Sequence, residues 1–148
     1  MKLQLLALIL LTVTIISCEK KKEDNNGNEK IVVLNQSSDI PTITKNLKTG
    51  MLEYMAVEKV DYTAKDVEQC ILLINNYRSD LSKTKTKEEG FQIVKRLVND
   101  LNKLNEKCEH QLIETDQREQ ICAIIMLSGN MKGYNSKTED LTQNLRDW

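Results

Sequence analysis

A long amphipathic stripe in the middle of the sequence most restricts what the chain can fold into. Its apolar residues recur at steps of three or four, the spacing that one face of an α-helix requires. Charged and amide side chains fill most positions between them, as on a solvent-facing helix surface. Thr86 and Glu89 have the spacing of a capping box, which marks the start of such a helix. The stripe comprises Phe91, Val94, Leu97, Val98, Leu101, Leu104 and Cys108.

Two neighbouring segments show the same pattern. Thr63 and Asp66 have capping-box spacing, with Asp in place of the usual Glu, before apolar residues that recur over 67–81. Thr115 or Asp116 is expected to cap the following helix, and Asp116 and Glu119 have capping-box spacing before an apolar run that covers a wide arc. The sequence therefore predicts helices on both sides of the central one, and the apolar faces of all three are expected to form the core.

The part before residue 63 has less regular patterning. Ser38 and Asp39 precede Pro41 as at a helix start, and apolar residues then recur over 40–55. Gly50 weakens that helix, so two shorter helices, or one helix followed by an extended stretch over 51–60, are alternatives. The apolar residues 31–34 could form a short strand or an ordered arm.

The end of the chain completes a mainly α prediction. Thr138 to Asp140 can open a last short helix, with Trp148 docking on the core. The chain has 5 Gly, 1 Pro and 4% aromatic residues, which argues against a sandwich or barrel of many short strands. We expect a small bundle of about four to five helices, in one domain over 31–148.

The N-terminus predicts a membrane anchor. Residues 5–16 are apolar apart from two threonines, and this run is shorter than the ~20 residues that span a bilayer. It matches the length of a signal-peptide core. Ile15-Ile16-Ser17-Cys18 resembles the lipobox of bacterial lipoproteins, which implies removal of residues 1–17 and lipid attachment to the sulfur of Cys18. The chain is therefore predicted to bind the membrane through that lipid.

Residues 18–30 are predicted to form a disordered tether. After Cys18 the stretch has four Lys, four acids and no apolar side chain to bury. A random coil of this length reaches about 20 Å on average. Such charged leaders resemble those of Bacteroidota lipoproteins, and Lys22-Glu23-Asp24 resembles their surface-export signal. A location at the cell envelope follows, on either the periplasmic face or the surface of the outer membrane.

Three cysteines remain once Cys18 carries lipid: Cys70, Cys108 and Cys122. Cys108 and Cys122 lie at the end of one predicted helix and early in the next, so a disulfide between them is reasonable in an oxidising compartment. Three buried thiols, or a pairing that uses Cys70, are the alternatives. No Cys-x-x-Cys pair is present and His110 is the single histidine, which disfavours zinc.

Catalytic patterns are missing from the sequence. There is no glycine-rich phosphate loop and no Gly-x-Ser-x-Gly. A pair of His110 with Cys70 or Cys122 is conceivable, but His110 lies in a polar connection that favours a solvated side chain. The acids Glu114, Asp116 and Glu119 match no calcium loop and suit a helix N-terminus instead. We expect no catalytic residues, no metal site and no cofactor.

The C-terminal third resembles a group of short uncharacterised bacterial proteins. The resemblance rests on residues 104–108, on residues 112–119 with Cys122, and on Asp140-Leu141-Thr142 with Arg146-Asp147-Trp148. It implies a small helical domain and structural roles for Asp116, Arg118 and Glu119. In that group an aromatic residue usually precedes the terminal Arg, whereas Leu145 stands here.

These observations favour a non-enzymatic, lipid-anchored binding protein with a protein partner, for example an immunity-type protein that neutralises a toxin. A structural or accessory lipoprotein of an envelope assembly is the alternative, and a thiol-based enzyme is disfavoured. The net charge of −1 gives no electrostatic case for nucleic acid.

Overall fold

A computed structural model describes residues 39–148, which form a bundle of four helices. The mainly helical fold predicted from the sequence is confirmed, and the described residues contain no strand. The predicted signal peptide, the tether with Cys18, and the arm at 31–34 lie outside this range. The helices are α1 (Asp39–Val57), α2 (Ala64–Lys83), α3 (Lys87–Lys107) and α4 (Thr115–Met131).

The first helix is continuous, so the break at Gly50 and the extended stretch over 51–60 are wrong as alternatives. Leu47 and Met51, on either side of the glycine, are 1% and 0% exposed. Their helix packs against both α4 and α2. Burial of a large aliphatic side chain contributes roughly 1.5–3 kcal/mol, which exceeds the ~1 kcal/mol penalty of one helical glycine.

Capping side chains set the helix starts. Glu89 N donates to Thr86 Oγ1 over 3.1 Å, and Thr86 N donates to Glu89 Oε2 over 3.3 Å, which confirms the predicted box at α3. At α2 the carboxylate of Asp66 accepts from Thr63 N and Oγ1. The predicted box of Asp116 and Glu119 is wrong, because α4 begins at Thr115 with Glu114 as its N-cap.

The second helix is the centre of the packing. It contacts each of the other three helices, and α1 also packs against α4. Tyr77 of α2 places its hydroxyl in the interior, where it donates to the carbonyl of Ile125 in α4 over 3.3 Å. The apolar residues with the lowest exposure come from all four helices: Met51, Val67, Cys70, Ile74, Val98, Leu101, Ile121, Ile124 and Ile125.

The last predicted helix does not form. Residues 132–148, the C-terminal segment, contain turns in place of the short helix predicted to open at 138–140. The carboxylate of Asp140 accepts from Thr142 N over 2.8 Å and from Thr142 Oγ1 over 2.6 Å. Such local side-chain bonds offer the backbone an alternative to helical hydrogen bonds.

The C-terminal segment connects α3 with α4. Asn102 of α3 donates through Nδ2 to the carbonyl of Leu145 over 3.1 Å. Cys122 of α4 contacts Thr142, with 3.3 Å between Sγ and Oγ1. The ring of Tyr134 lies over Gly90 in α3, where an added Cβ would come within 2.5 Å of the ring. The segment therefore covers the core on the side between these two helices.

Two glycine substitutions test this packing. Gly90→Ala is expected to destabilise the fold, since overpacking a rigid ring costs about 1–3 kcal/mol and exceeds the gain in helix propensity. Gly50→Ala, whose Cβ meets nothing within 4 Å, is expected to stabilise it by about 0.5–1 kcal/mol. Urea unfolding of the purified chain measures both changes. Equal effects at the two glycines would contradict the close approach of Tyr134.

Candidate functional site

A groove opens at one corner of the bundle, which we call the corner groove. It lies between the end of α1, the connection to α2, the connection after α3 and the first turn of α4. Its volume is about 240 Å³. Its walls carry two phenol rings, two carboxylates, two amides and a hydroxyl. The lining residues are Tyr54, Tyr62, Gln111, Glu114, Thr115, Asp116 and Gln117.

Reciprocal hydrogen bonds hold two of the walls together. Asp61 N donates to Gln111 Oε1 over 3.1 Å, and Gln111 Nε2 donates to Asp61 Oδ2 over 2.8 Å. Tyr62 donates through its hydroxyl to the carbonyl of Met51 over 3.0 Å. The connection between α1 and α2 is thereby tied to α1 on one side and to the connection before α4 on the other.

The connection after α3 owes its shape to Asn105, which is 1% exposed. Its side-chain oxygen accepts from Ile113 N over 2.9 Å, and its carbonyl accepts from His110 N over 2.8 Å. Glu109 and His110 have φ angles of 50° and 60°, a left-handed conformation that non-glycine residues seldom adopt. The bonds to Asn105 stabilise this turn, which delivers Gln111 and Glu114 to the groove.

The electrostatic character of the corner groove is acidic. Glu114 and Asp116 contribute carboxylates, and no lysine or arginine is among the lining residues. Tyr62 is 4% exposed, and burial raises the pKa of its phenol, with Tyr54 and Glu114 adding to the effect. Tyr62 is therefore a neutral hydrogen-bonding group near neutral pH. Tyr54 is 41% exposed and offers its ring to solvent at the rim.

The three described cysteines are buried free thiols. Burial raises the pKa of Cys70 to about 12, and it also raises the pKa of Cys108 and of Cys122. A raised thiol pKa disfavours the thiolate, which is the nucleophilic form. The Cys108–Cys122 disulfide that the sequence suggests is not formed in the structure. Cys108 lies near the ion pair of Asp66 and Lys107, whereas Cys122 faces Thr142.

That ion pair links the first turn of α2 to the last turn of α3. Lys107 Nζ lies 2.6 Å from Asp66 Oδ1. The hydrogen bond from Lys107, together with that from Thr63, lowers the pKa of Asp66 to about 2. The carboxylate is 9% exposed and the lysine 67%, so the ammonium group covers a buried acid from the solvent side.

A second cluster holds the C-terminal segment. Arg146 Nη1 lies 2.5 Å from Asp140 Oδ2 and 2.6 Å from Thr142 Oγ1. Burial alone would raise the pKa of Asp140, but the hydrogen bonds from Thr142 and Arg146 lower it overall. The Arg146 guanidinium also lies 6.0 Å from the centre of the Trp148 ring. Trp148 packs against the core, as the sequence predicts.

The remaining sequence candidates fall in different places. His110 is exposed and does not line the corner groove, and no catalytic Cys–His contact forms in residues 39–148. Of the three acids before and within α4, Glu114 and Asp116 line the groove. No group of three or more His, Cys, Asp or Glu side chains in the described range could hold a metal ion. The sequence pattern does not single out Tyr54 or Tyr62, because neither belongs to an apolar stripe.

Comparison with known proteins finds no match: no family model, curated protein or solved structure matches the chain. Among the helices of residues 39–148, none has the length and apolar character needed to cross a membrane.

The ion pair of Asp66 predicts a pH dependence. A carboxylate with a lowered folded-state pKa stabilises the fold above its ordinary value of 3.8, and this contribution disappears as the pH falls through about 2. Asp66→Asn should therefore be less stable than the wild type near neutral pH, and the difference should shrink on acidification. Urea unfolding at several pH values measures it. Glu68→Gln, which removes an exposed ion pair with Lys48, is the control and should show little change.

Thiol labelling tests the cluster of Asp140 and Arg146. Cys70, Cys108 and Cys122 should all react in the denatured chain, and all three should react slowly in the native chain. Arg146→Met leaves a partly buried carboxylate without its cation, which costs about 1–3 kcal/mol. We expect faster native labelling of Cys122 and unchanged labelling of Cys70, measured by mass spectrometry with a maleimide.

Arg96→Met is the matched control, because Arg96 pairs with Asp80 over the same kind of distance, 2.6 Å, but at an exposed site. It should leave the labelling rates unchanged. Labelling of only one thiol in the unreduced, denatured chain would instead demonstrate a disulfide.

Proposed function

We propose that the chain is a non-enzymatic binding protein, held at the cell envelope by lipid on Cys18, and that it binds a protein partner at the corner groove. Cys18 follows a short apolar run and a small residue, which is the arrangement that lipid attachment requires. Stable attachment takes two membrane signals, such as two acyl chains, so a lipoprotein-type modification suffices without any spanning helix.

The observation that carries the binding role is the groove itself. Its walls come from four separate parts of the chain and are held by hydrogen bonds between them, so it is formed before any partner arrives. Binding to a preformed surface requires little ordering of the protein, which favours affinity. The exposed ring of Tyr54 at the rim adds to this, because tyrosine is enriched at protein interfaces.

Thiol chemistry is a weaker explanation for the domain. Each described cysteine is at most 8% exposed, and burial raises the pKa of all three. Reactive cysteines are accessible and have lowered pKa values. The environment of these thiols instead suits small apolar residues in a core.

Photo-crosslinking in intact cells tests the binding role. A photoreactive phenylalanine analogue replaces Tyr54, which is 41% exposed, or Leu72 on α2, which is 50% exposed and serves as the control. The expected result is a discrete adduct with one envelope protein from position 54 and none from position 72. No adduct from either position, or the same adducts from both, would contradict partner binding at this corner.

The anchor is tested in the same cells with an alkyne-tagged fatty acid. The wild-type chain should take up the label, and Cys18→Ala should not. The crosslinked adduct should also weaken in Cys18→Ala, since a released chain no longer shares the membrane with its partner. Label retained by Cys18→Ala would show that the lipid is attached elsewhere.

A further inference from the structure

We propose that the corner groove binds the side chain of a lysine or arginine presented by the partner protein. The inference rests on the proposed function and deepens it by stating the chemistry of the partner. Three properties of the groove support it: the sign of its charge, the aromatic rings in its wall and its size.

The charge of the groove is unbalanced. Glu114 and Asp116 both line it, and neither forms an ion pair in the described part of the chain. Elsewhere in the described residues, Asp66 pairs with Lys107 and Asp140 pairs with Arg146, whereas no lysine or arginine lines the groove. The groove therefore presents two carboxylates that no lysine or arginine pairs with, one of them the N-cap of α4, and a cation from outside complements them.

The partial positive charge at the N-terminus of α4 opposes the binding of a cation. Its size relative to the charge of the two carboxylates decides whether this opposition matters. A helix N-terminus is equivalent to roughly half a positive charge. Two carboxylates at the same place outweigh it about fourfold, so the net field in the groove attracts cations. An anion would have to approach both acids to reach the backbone N–H groups at the start of α4, and the Glu114 side chain already bonds that of Gln117.

The aromatic rings of the groove provide further contacts for a lysine or arginine side chain. Tyr54 and Tyr62 both line the groove, and a guanidinium or ammonium group is attracted to a tyrosine ring when it lies within about 6 Å of the ring centre. The methylene groups of lysine and arginine also pack on aromatic surfaces. Tyr54 offers the more exposed ring, whereas Tyr62 is 4% exposed and donates its hydroxyl to the carbonyl of Met51.

The size of the groove favours one side chain over a small-molecule ligand. Sites for drug-sized molecules and cofactors usually have volumes of about 300–1,000 Å³. At about 240 Å³ and partly open, the corner groove lies below that range. It accommodates a single long side chain while the backbone that carries it remains outside, against the exposed ring of Tyr54.

An NMR titration of the full-length chain in detergent tests the inference directly. The probes are the acetylated methylamides of lysine and arginine, and the signals are the side-chain amides of Gln111 and Gln117 in the groove wall. We expect saturable shifts with a Kd in the millimolar range, as suits a single side chain, and weaker binding at high salt. The uncharged Nε-acetyl-lysine probe should not bind.

Matched variants show whether the groove is responsible. Glu114→Gln with Asp116→Asn should weaken binding about tenfold, and Tyr54→Ala should weaken it as well. Glu88→Gln with Glu106→Gln removes the same charge from α3, and Glu88 occupies the same helical position in α3 as Asp116 in α4. This control should bind like the wild type.

Shifts with Nε-acetyl-lysine equal to those with lysine, shifts caused by inorganic phosphate in their place, or equal weakening in the control variant would each overturn the inference. A photo-crosslinked partner at position 54 would still support the proposed function in those cases. Saturable lysine binding without a crosslinked partner would support the chemistry of the groove and contradict the proposed function. The failure of one proposal can therefore be distinguished from the failure of the other.

Discussion

The Arg146 guanidinium, shared between Asp140 and Thr142, holds the C-terminal segment in place, and the side of the bundle between α3 and α4 depends on that segment. α2 packs against every other helix, but α3 reaches α4 largely through residues of the segment. The contacts of Tyr134 with Gly90 and of Thr142 with Cys122 close the core there. A bundle without the segment would expose apolar surface on both helices. Charge-assisted hydrogen bonds are stronger than neutral ones, which suits a cluster with this role.

The corner groove depends on another buried polar residue, Asn105. Its two hydrogen bonds stabilise a turn in which Glu109 and His110 adopt left-handed conformations, and that turn positions Gln111 and Glu114. Asn105 thus positions residues of the groove although it does not line the groove itself. The connection between α3 and α4 therefore contributes both to the stability of the fold and to the proposed binding surface, through different side chains.

The helices were predictable because their signals are local. Val94, Leu97, Val98 and Leu101 stand at helical spacing and are buried as predicted, and Thr86 with Glu89 marks the start of α3. The structure departs from the sequence prediction where burial or local side-chain hydrogen bonds outweigh the expected pattern. Gly50 does not interrupt α1, since Leu47 and Met51 are buried on either side of it. Asp140, predicted near a helix start, binds Thr142 and Arg146 and so favours turns.

The sequence encodes the helical class of the domain and most of its core, because periodic burial leaves a periodic pattern. It also contains the whole case for the anchor at Cys18, which depends on a short run of adjacent residues. The tertiary structure alone decided the corner groove, since Tyr54 and Glu114 are far apart in sequence and meet only when α1 packs against α4. It likewise gives Cys108 and Cys122 different neighbours, since the helices pack one near Asp66 and Lys107 and the other against Thr142. Which side chains share a surface is a property of packing, and no local pattern encodes it.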